Sequence, residues 1–366
     1  MPRTFSLANS SVVKEAALVR ATMTIHATHK AMTTRIIKLL GTLLLVVTLK
    51  ASTSRSSPPP LRRSLASDPP QVPTVEIGTD VHGLPVRLPL LGAGTWQYND
   101  TIAYQSVCQA LQAGYTLVDT AFGYHNQVGV GRALKDCYTG KRGDLFLLTK
   151  IPGGLTYQQT LEYHAHNLFS LNVEFVDHLM VHYPADWKAT RASKEIRQEQ
   201  WRAMEEIWFS GKARSIGVSH YCSRHLDDIL EVAAVPPSLN QVEYHVGSGD
   251  IDQVRPYCQQ HNITFMSFSP LCGPCQYDAV DSLISGDLVT SIGRTYNKTG
   301  AQVALRFIVQ QALSQPFLGG VIPKSNTHSH ILENKDIFDW TLSEDDMQKL
   351  HAADRPAAEA GDCDVP

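Results

Sequence analysis

Short apolar runs alternate with longer amphipathic segments through most of the chain. The short runs have the length of buried β-strands, and in the longer segments apolar residues recur every three or four positions, as in a helix. Eight runs are predicted as strands: Leu90–Gly92, Thr116–Val118, Leu145–Thr149, Val176–Val181, Ala213–Val218, Ser238–Val242, Thr264–Phe268 and Gly320–Ile322. The clearest helical segments are Ile102–Ala113, Gln158–Leu171, Lys194–Phe209, Ala301–Gln311 and Ser343–Ala353.

This alternation predicts an α/β fold. A helical segment after each strand implies parallel strands joined by right-handed crossovers. Eight such units favour a closed (β/α)8 TIM barrel over an open doubly wound sheet. Residues 74–89 alternate polar and apolar side chains around a turn at Asp80 and Gly83, which predicts a β-hairpin ahead of the barrel. We expect one barrel domain over residues 71–366.

A different kind of sequence precedes the barrel. Residues 36–49 read IIKLLGTLLLVVTL, and the charge-free part, 39–49, is short for a membrane span but suits the apolar core of a signal peptide. The proline-rich stretch at 58–60 and residues 64–70 are typical of a disordered linker. We therefore expect residues 1–70 to form a disordered targeting segment.

Three destinations are open for this segment. It could be a cleaved signal that sends the chain to the secretory pathway, the endoplasmic reticulum or another organelle. It could be retained as an anchor that associates with a membrane through residues 36–50. A mispredicted start codon ahead of a cytoplasmic protein is the third alternative.

The charge distribution separates the same two parts of the chain. Residues 1–67 hold ten Lys or Arg and one acidic residue, a net charge of +9, so that 68–366 hold 22 basic and 34 acidic residues, a net charge of -12. A phosphate backbone requires a basic surface, so the acidic barrel argues against nucleic-acid binding.

Cysteine number and spacing argue against two kinds of site. Seven cysteines, an odd number in a long chain, argue against a disulfide-stapled scaffold. No C-x2-C pairs with a second C-x2-C or a pair of histidines, so we expect no metal site. Asn99, Asn262 and Asn297 begin Asn-x-Ser/Thr sequons, which matter only if the chain is secreted.

Four ionisable residues follow successive predicted strands. Asp119 follows the second, Tyr124 lies five residues further on, Lys150 follows the third and His182 the fourth. Each alone could be structural, as a helix cap, a pocket wall, a solvated amine or a buried imidazole. Because the carboxyl ends of barrel strands meet at one face, the four together predict a site.

These four residue types suit carbonyl reduction. Hydride addition leaves an alkoxide that needs a proton, and tyrosine, with a reference pKa of about 10, is a weak acid at neutral pH. A neighbouring ammonium such as Lys150 makes the phenol of Tyr124 a stronger acid. Asp119 can hold that ammonium, and His182 can donate to the carbonyl oxygen and orient it.

Eight longer stretches carry a family resemblance. They are LPLLGAGTW (88–96), GYTLVDTAFGY (114–124), VGVGRAL (128–134), DHLMVHYP (177–184), GKARSIGVS (211–219), NQVEYH (240–245), FSPL (268–271) and VIPKS (321–325). With these stretches in order and correctly spaced, the chain resembles the aldo-keto reductase superfamily over about residues 75–355. The resemblance implies a catalytic tetrad of Asp119, Tyr124, Lys150 and His182, and an extended NADPH that gives its hydride directly to the substrate.

The same resemblance implies the cofactor contacts. Those around the nicotinamide would be Ser219, His220, Gln241 and Phe268. Those along the phosphates and the adenosine would be Ser269, Leu271, Lys324, Ser325, His330, Glu333 and Asn334. A cation at a turn into a helix favours phosphate, although Lys324-Ser325 could also be a simple helix cap.

Three positions depart from the family pattern. His220 stands where Asn is usual, and it is bulkier and titrates near neutral pH. Phe268 replaces a Tyr, which stacking should tolerate because only the ring is needed. His330 replaces an Arg and gives no permanent bidentate charge to a phosphate. We therefore expect NADPH as cofactor, with NADH as an alternative.

The substrate pocket is expected to be open. Its walls would be Trp96, Gly123, His182, Tyr183 and Trp187. Family members often close the pocket with a long C-terminal segment, and little follows the last predicted helix here. We expect a monomer that reduces small or polar carbonyls, such as glyoxals and short or sugar-derived aldehydes, in preference to steroids.

Two other functions remain open. A regulatory member of the family would keep the barrel and the cofactor but show little turnover, as ion-channel-associated members do. A thiol-disulfide redox protein would use Cys272-Gly-Pro-Cys275, which has thioredoxin spacing. Alternatively, this pair is a reversible disulfide that alters the loop and with it cofactor binding, or merely two small residues in a loop.

Overall fold

The computed structural model describes residues 71–272, 282–315, 317–354 and 363–365, and the predicted targeting segment lies outside them. The strands are β1 (Thr74–Thr79), β2 (Pro85–Pro89), β3 (Ala93–Gly94), β4 (Leu117–Asp119), β5 (Phe146–Ile151), β6 (His178–Val181), β7 (Ile216–Ser219), β8 (Leu239–Glu243), β9 (Thr264–Phe268) and β10 (Leu318–Val321). The α-helices are α1 (Asp100–Gln112), α2 (Gln127–Cys137), α3 (Tyr157–Leu171), α4 (Lys194–Phe209), α5 (Ser223–Leu230), α6 (Val254–Gln260), α7 (Asp287–Tyr296), α8 (Gly300–Ser314), α9 (His328–Lys335) and α10 (Glu344–His351).

Strands β3 to β10 form one parallel sheet in sequence order, and β1 pairs with β2 as an antiparallel hairpin. The sheet closes between its ends, where Leu91 bridges to Val321 and Gly92 N donates to Val321 O at 2.9 Å. A Cβ at Gly320 would lie 2.0 Å from Leu90 O, so this seam requires glycine. The predicted (β/α)8 barrel is confirmed. Its first paired strand starts at Ala93, slightly later than predicted, because Leu91 makes only the single closing bridge.

Period-two alternation sorts the strand side chains between two cores. Leu117, Leu148 and Met180 point into the barrel, where Val86 and Leu88 of the hairpin cover them from the amino-terminal end of the strands. The neighbouring strand residues pack outward against the helices. Burying such a side chain contributes about 1.5–3 kcal/mol, so a one-residue shift in strand register would be costly. The inward positions beyond these apolar layers are those of Asp119, Lys150 and His182, three members of the predicted tetrad, and Tyr124 lies in the turn after β4.

An ion-pair network links the hairpin to the base of the barrel. Asp177, which is 1% exposed, accepts from Arg142 at 2.7 Å and from Arg214 at 3.1 Å. Arg214 also reaches Asp80 in the hairpin turn, at 3.4 Å. Asp177 further accepts from Leu147 N at 2.9 Å, so the buried carboxylate is fully paired.

Disulfides correct one sequence interpretation. Cys108–Cys137 joins α1 to α2, and Cys222–Cys363 joins the start of α5 to the described end of the chain. The argument against disulfide staples was wrong because the fold brings distant cysteines together, which spacing along the chain does not show. No helix among the described residues is both long and apolar enough to cross a bilayer.

Candidate active site

A buried ion pair forms the floor of a cleft at the carboxyl ends of the strands. Lys150 Nζ donates to both carboxylate oxygens of Asp119, at 2.8 and 2.7 Å, and both residues are 1% exposed. The same ammonium donates to Tyr124 Oη at 3.2 Å. Gln241 Nε2 donates to Asp119 Oδ2 at 3.0 Å and fixes the carboxylate from β8. The structure therefore brings three predicted tetrad residues into one hydrogen-bonded chain.

The ammonium beside Tyr124 remains charged by virtue of its partner. Burial lowers the pKa of Lys150 below its usual range, and the Asp119 carboxylate opposes that shift. An isolated ammonium in this position would tend to lose its proton. With two short bonds to a carboxylate, it instead presents a positive charge to the phenol oxygen.

His182 completes the group at the end of β6. Its ring meets that of Tyr124 edge-on, with centroids 5.6 Å apart, and its backbone N–H donates to Ile151 O at 2.9 Å. Burial, followed by the charge of Lys150 and the neighbouring His220, holds the pKa of His182 well below its usual range. The imidazole is therefore neutral near pH 7 and can donate one N–H to an oxygen in the cleft.

A buried asparagine that sequence reasoning missed braces this corner. Asn126 is 0% exposed, and its amide donates to Thr95 O at 2.7 Å and to Tyr98 O at 3.0 Å. Its carbonyl accepts from Thr120 Oγ1 at 3.0 Å. Asn126 thus ties the β3–α1 loop to the loop that carries Tyr124. Its place two residues after Tyr124 was the available signal, but spacing alone does not show burial.

The cleft above the ion pair has about 1000 Å³ of empty space that includes its open mouth. Eleven of the predicted site residues line it: Trp96, Asp119, Tyr124, His182, Tyr183, His220, Gln241, Phe268, Ser269, Leu271 and Lys324. Lining residues that sequence reasoning missed include Thr95, Gln97, Pro270 and Ile284. Trp96 and Ile284 are 41% and 55% exposed, so the mouth carries apolar groups accessible to solvent.

Aromatic rings form one wall of the cleft. His220 stacks on Tyr183 with centroids 4.3 Å apart and lies against Phe268 at 4.6 Å. His220 has a positive φ of 61°, which turns its side chain into the cleft directly after β7. Trp187 continues this row edge-on to Tyr183 at 5.8 Å but is 88% exposed and does not line the cleft. Gly123 is also exposed and lies outside the lining.

Five predicted cofactor residues are not among those that line the cleft: Ser219, Ser325, His330, Glu333 and Asn334. Ser219 is 1% exposed, and its hydroxyl donates to Gln241 O at 2.8 Å. Ser325 lies in the turn before α9, where its hydroxyl accepts from Thr327 N at 3.1 Å. The remaining three are on α9: His330 is exposed, Glu333 is half-buried and Asn334 is buried.

Lys324 places a cation at the mouth of the cleft. Its ammonium donates to Gln97 Oε1 at 2.7 Å and lies 5.8 Å from the ring centre of Trp96. Burial lowers the pKa of Lys324, and no carboxylate pairs with it among the described residues. A cation and an aromatic wall in one cleft can bind an anionic ligand that carries a planar ring.

Cys272 follows the lining residues Ser269–Leu271. It is 6% exposed and disulfide-bonded, and its backbone N–H donates to Ser269 O at 2.7 Å. Cys275 lies outside the described residues, so the predicted behaviour of the Cys272-x-x-Cys275 pair stays a hypothesis.

A comparison of the sequence with known families agrees with the site described above. A family model described as the aldo/keto reductase family matches residues 90–355. The chain belongs to this family. Aldo-keto reductases are oxidoreductases that act on carbonyl compounds with a nicotinamide cofactor. Membership assigns this general class of reaction and of cofactor to the chain. The recognition made from sequence is therefore confirmed.

The match with similar proteins covers almost the whole length of each of them. A glyoxal reductase of Bacillus subtilis is 33% identical over 272 residues, which cover 74% of this chain and 90% of that protein. A probable NAD(P)H-dependent D-xylose reductase of Aspergillus niger is 30% identical over 303 residues, 73% of this chain and 91% of its own. The crystal structure of an aldo-keto reductase from Brucella melitensis has a TM-score of 0.66 and 33% identity, and covers 77% of this chain and 99% of that one.

Proposed function

We propose that this chain is an NADPH-dependent reductase of aldehydes and ketones in which Tyr124 is the general acid. The observation that carries the proposal is the chain of contacts from Asp119 through Lys150 to Tyr124 Oη at the floor of an open cleft. Such a chain has one evident use, because it prepares a phenol to give up a proton where negative charge develops.

The residues divide the work of proton transfer. The cofactor, when bound, supplies the hydride to the carbonyl carbon. Tyr124 gives its proton to the substrate oxygen, and the Lys150 ammonium stabilises the phenolate that remains. Asp119 keeps that ammonium charged and in place, and neutral His182 donates an N–H that orients the carbonyl oxygen.

Residues on one side of the cleft and on α9 would hold the cofactor. The ring of Phe268 offers an apolar face near Tyr124, and Lys324 offers a cation for phosphate. The full proposed set is Ser219, His220, Gln241, Phe268, Ser269, Leu271, Lys324, Ser325, His330, Glu333 and Asn334. Since His330 is exposed and carries no permanent charge, NADPH is preferred over NADH only moderately.

Small or polar carbonyls are the proposed substrates, with Trp96, His182 and Tyr183 around them. The described end of the chain, Cys363–Val365, is bound at the start of α5 and contributes nothing to the cleft lining. A relative is named glyoxal reductase, which supports short dicarbonyls and simple aldehydes as substrates.

Replacing Tyr124 by phenylalanine tests the function. Loss of NADPH absorbance would be followed with methylglyoxal and an aromatic aldehyde, and we expect kcat to fall by about 10²–10⁴ because one proton donor is removed. The affinity for NADPH and the melting temperature should change little, since the ring remains.

Tyr104→Phe, on α1 outside the cleft, is the matched control and should keep full turnover. Tight NADPH binding without turnover in the unmodified protein would favour the regulatory alternative. A steroid ketone reduced much faster than methylglyoxal would contradict the proposed substrate class.

A further inference from the structure

We propose that the barrel folds in the lumen of the secretory pathway and carries N-linked glycans on Asn99, Asn262 and Asn297. Three independent features of the described residues support this assignment: the pairing state of the cysteines, the surface position of every sequon asparagine, and the unengaged amide nitrogens of those asparagines. None of these features depends on the reductase chemistry.

The cysteines are distributed as in a protein folded under oxidising conditions. Cys108, Cys137, Cys222, Cys272 and Cys363 are disulfide-bonded. Cytosolic reductants keep thiols reduced, so structural disulfides of this kind are typical of secreted and lumenal proteins. The apolar run at 39–49, which suits a signal peptide, points to the same compartment.

Among the described cysteines, the unpaired thiol is that of Cys258, and burial protects it from oxidation. Cys258 is 0% exposed, and burial raises the pKa of its thiol to about 12. Since the thiolate is the species that reacts, this cysteine is inert toward disulfide exchange. Five disulfide-bonded cysteines beside a fully buried thiol are the combination expected of a protein from an oxidising compartment.

The three sequon asparagines in the described part of the chain are exposed at ends of helices or in turns. Asn99 caps α1, Asn262 lies in the turn between α6 and β9 with a φ of 56°, and Asn297 ends α7 with a φ of 54°. The residues that follow them, Asp100, Ile263 and Lys298, include no proline. A bulky, solvated glycan is compatible with each position.

The amide nitrogens are available for the transfer. The Asn99 side chain uses only its oxygen, which accepts from Ile102 N at 2.9 Å. The side chains of Asn262 and Asn297 make no hydrogen bond within the described part of the chain. The donor is a lipid-linked diphospho-oligosaccharide: a bond forms between Nδ2 and the sugar C1, the bond from C1 to the diphosphate breaks, and the amide loses one proton.

The experiment is expression of the full chain in a eukaryotic secretory host, with its mass measured before and after treatment with an amidase that removes N-linked glycans. We expect a mass above that of the polypeptide that falls in three glycan steps. A chain whose mass is unchanged by the amidase would overturn the proposal, even if its disulfides are present.

Three substitutions remove the sequons while keeping the local backbone. Thr101→Ala spares the Asn99 cap, because the exposed Thr101 side chain makes no hydrogen bond there. Asn262→Gly and Asn297→Gly suit the positive φ at both turns. Each should remove one glycan, and the triple variant should remove all three. A substitution that removes no glycan overturns the assignment of its own site.

Asn172→Gly is the matched control. Asn172 is an exposed asparagine with a φ of 53° at the end of α3, and it begins no sequon. Its substitution should leave the glycan mass unchanged.

A thiol assay tests the compartment separately. Alkylation of the denatured chain before reduction should label Cys258 but none of the five paired cysteines named above. Labelling of Cys108 or Cys222 in freshly isolated protein would contradict an oxidising compartment.

Discussion

The two ends of the barrel place similar charges in different surroundings. At the base, the buried Asp177 is shared by Arg142 and Arg214, and every atom of the carboxylate has a partner in the protein. At the opposite end, the Asp119–Lys150 pair is also buried, but Lys150 donates a hydrogen bond to Tyr124, which lines an open cleft. A buried ion pair of the same kind therefore stabilises the base of the barrel and, at the other end, lies next to the phenol of Tyr124.

The comparison shows that the role of a buried ion pair depends on the further group to which its cation donates a hydrogen bond. At the base, Arg214 ends on Asp80 of the hairpin, which lies over the strands and excludes solvent. At the cleft, the Lys150 ammonium ends on a phenol that a ligand can contact. We therefore expect substitutions at the base to affect stability alone and those at the cleft to affect turnover first.

The largest expected effect comes from Lys150→Met. Turnover should fall by at least about 10³, because the phenolate of Tyr124 loses its cation. The free energy of unfolding should also fall by about 3–5 kcal/mol, because the buried Asp119 carboxylate loses its counter-charge and keeps only the hydrogen bond from the Gln241 amide. Steady-state kinetics and urea denaturation would measure the two effects.

The double variant Asp119→Asn, Lys150→Met separates them. Without the stranded charge, stability should largely return while turnover stays low. Recovery of turnover together with stability would show that the ion pair at the cleft is merely structural, like the one at the base.

Acid should lower the free energy of unfolding through two buried histidines near the base of the barrel, His164 and His178. Burial lowers the pKa of His164 to about 4 and that of His178 to about 3, from an ordinary value of 6.5. Both imidazoles stay neutral in the folded chain, whereas in the unfolded chain they bind protons once the pH falls below 6.5. The free energy of unfolding is therefore highest above pH 6.5 and falls as the pH is lowered toward 4 and 3. Each histidine lowers it by about 1.4 kcal/mol per pH unit in that range, which is roughly 4 kcal/mol for both at pH 5.

Urea denaturation at pH 7 and pH 5 measures this loss. The exposed His166 serves as the control, since His166→Ala should leave the difference unchanged. Equal free energies of unfolding at the two pH values would contradict the prediction.

Asp177→Asn should lower the free energy of unfolding by about 2–3 kcal/mol, because two partly buried guanidinium groups lose their shared charge. We expect kcat at 25 °C to stay within about a factor of two of the unmodified value, since no base residue lines the cleft. Thermal unfolding and kinetics on one preparation would check both. A large loss of kcat in protein that is still folded would mean that the two ends are coupled.

The smallest expected effect is that of His330→Arg. An arginine on the exposed face of α9 would add a permanent charge for the adenosine phosphate, and we expect the preference for NADPH over NADH to rise about tenfold. Binding titrations with both cofactors would measure the ratio. An unchanged ratio would place the phosphate away from α9.

Sequence reasoning predicted the barrel because strand and helix periods repeat eight times, and it found Asp119, Lys150 and His182 because each follows an apolar strand at an inward position. It did not find Asn126, Gln97 or Ile284, which reach the site through loop conformations that periodicity does not encode. It also missed the Cys222–Cys363 disulfide, whose cysteines are 141 residues apart and meet only after the chain has folded. Strand and helix patterns can be predicted from the sequence, whereas contacts across loops and between distant segments are seen only in the folded structure.

The hydrogen bond between Gln241 and Asp119 joins distant parts of the sequence in one site. The two residues are 122 positions apart, on β8 and β4, and Asp119 also forms the buried ion pair with Lys150 of β5. The orientation of the carboxylate beside Lys150 therefore depends on a strand from the second half of the barrel. A fragment that ended before β8 would lack this donor, so the proton-donating centre is a property of the whole barrel and not of its first strands.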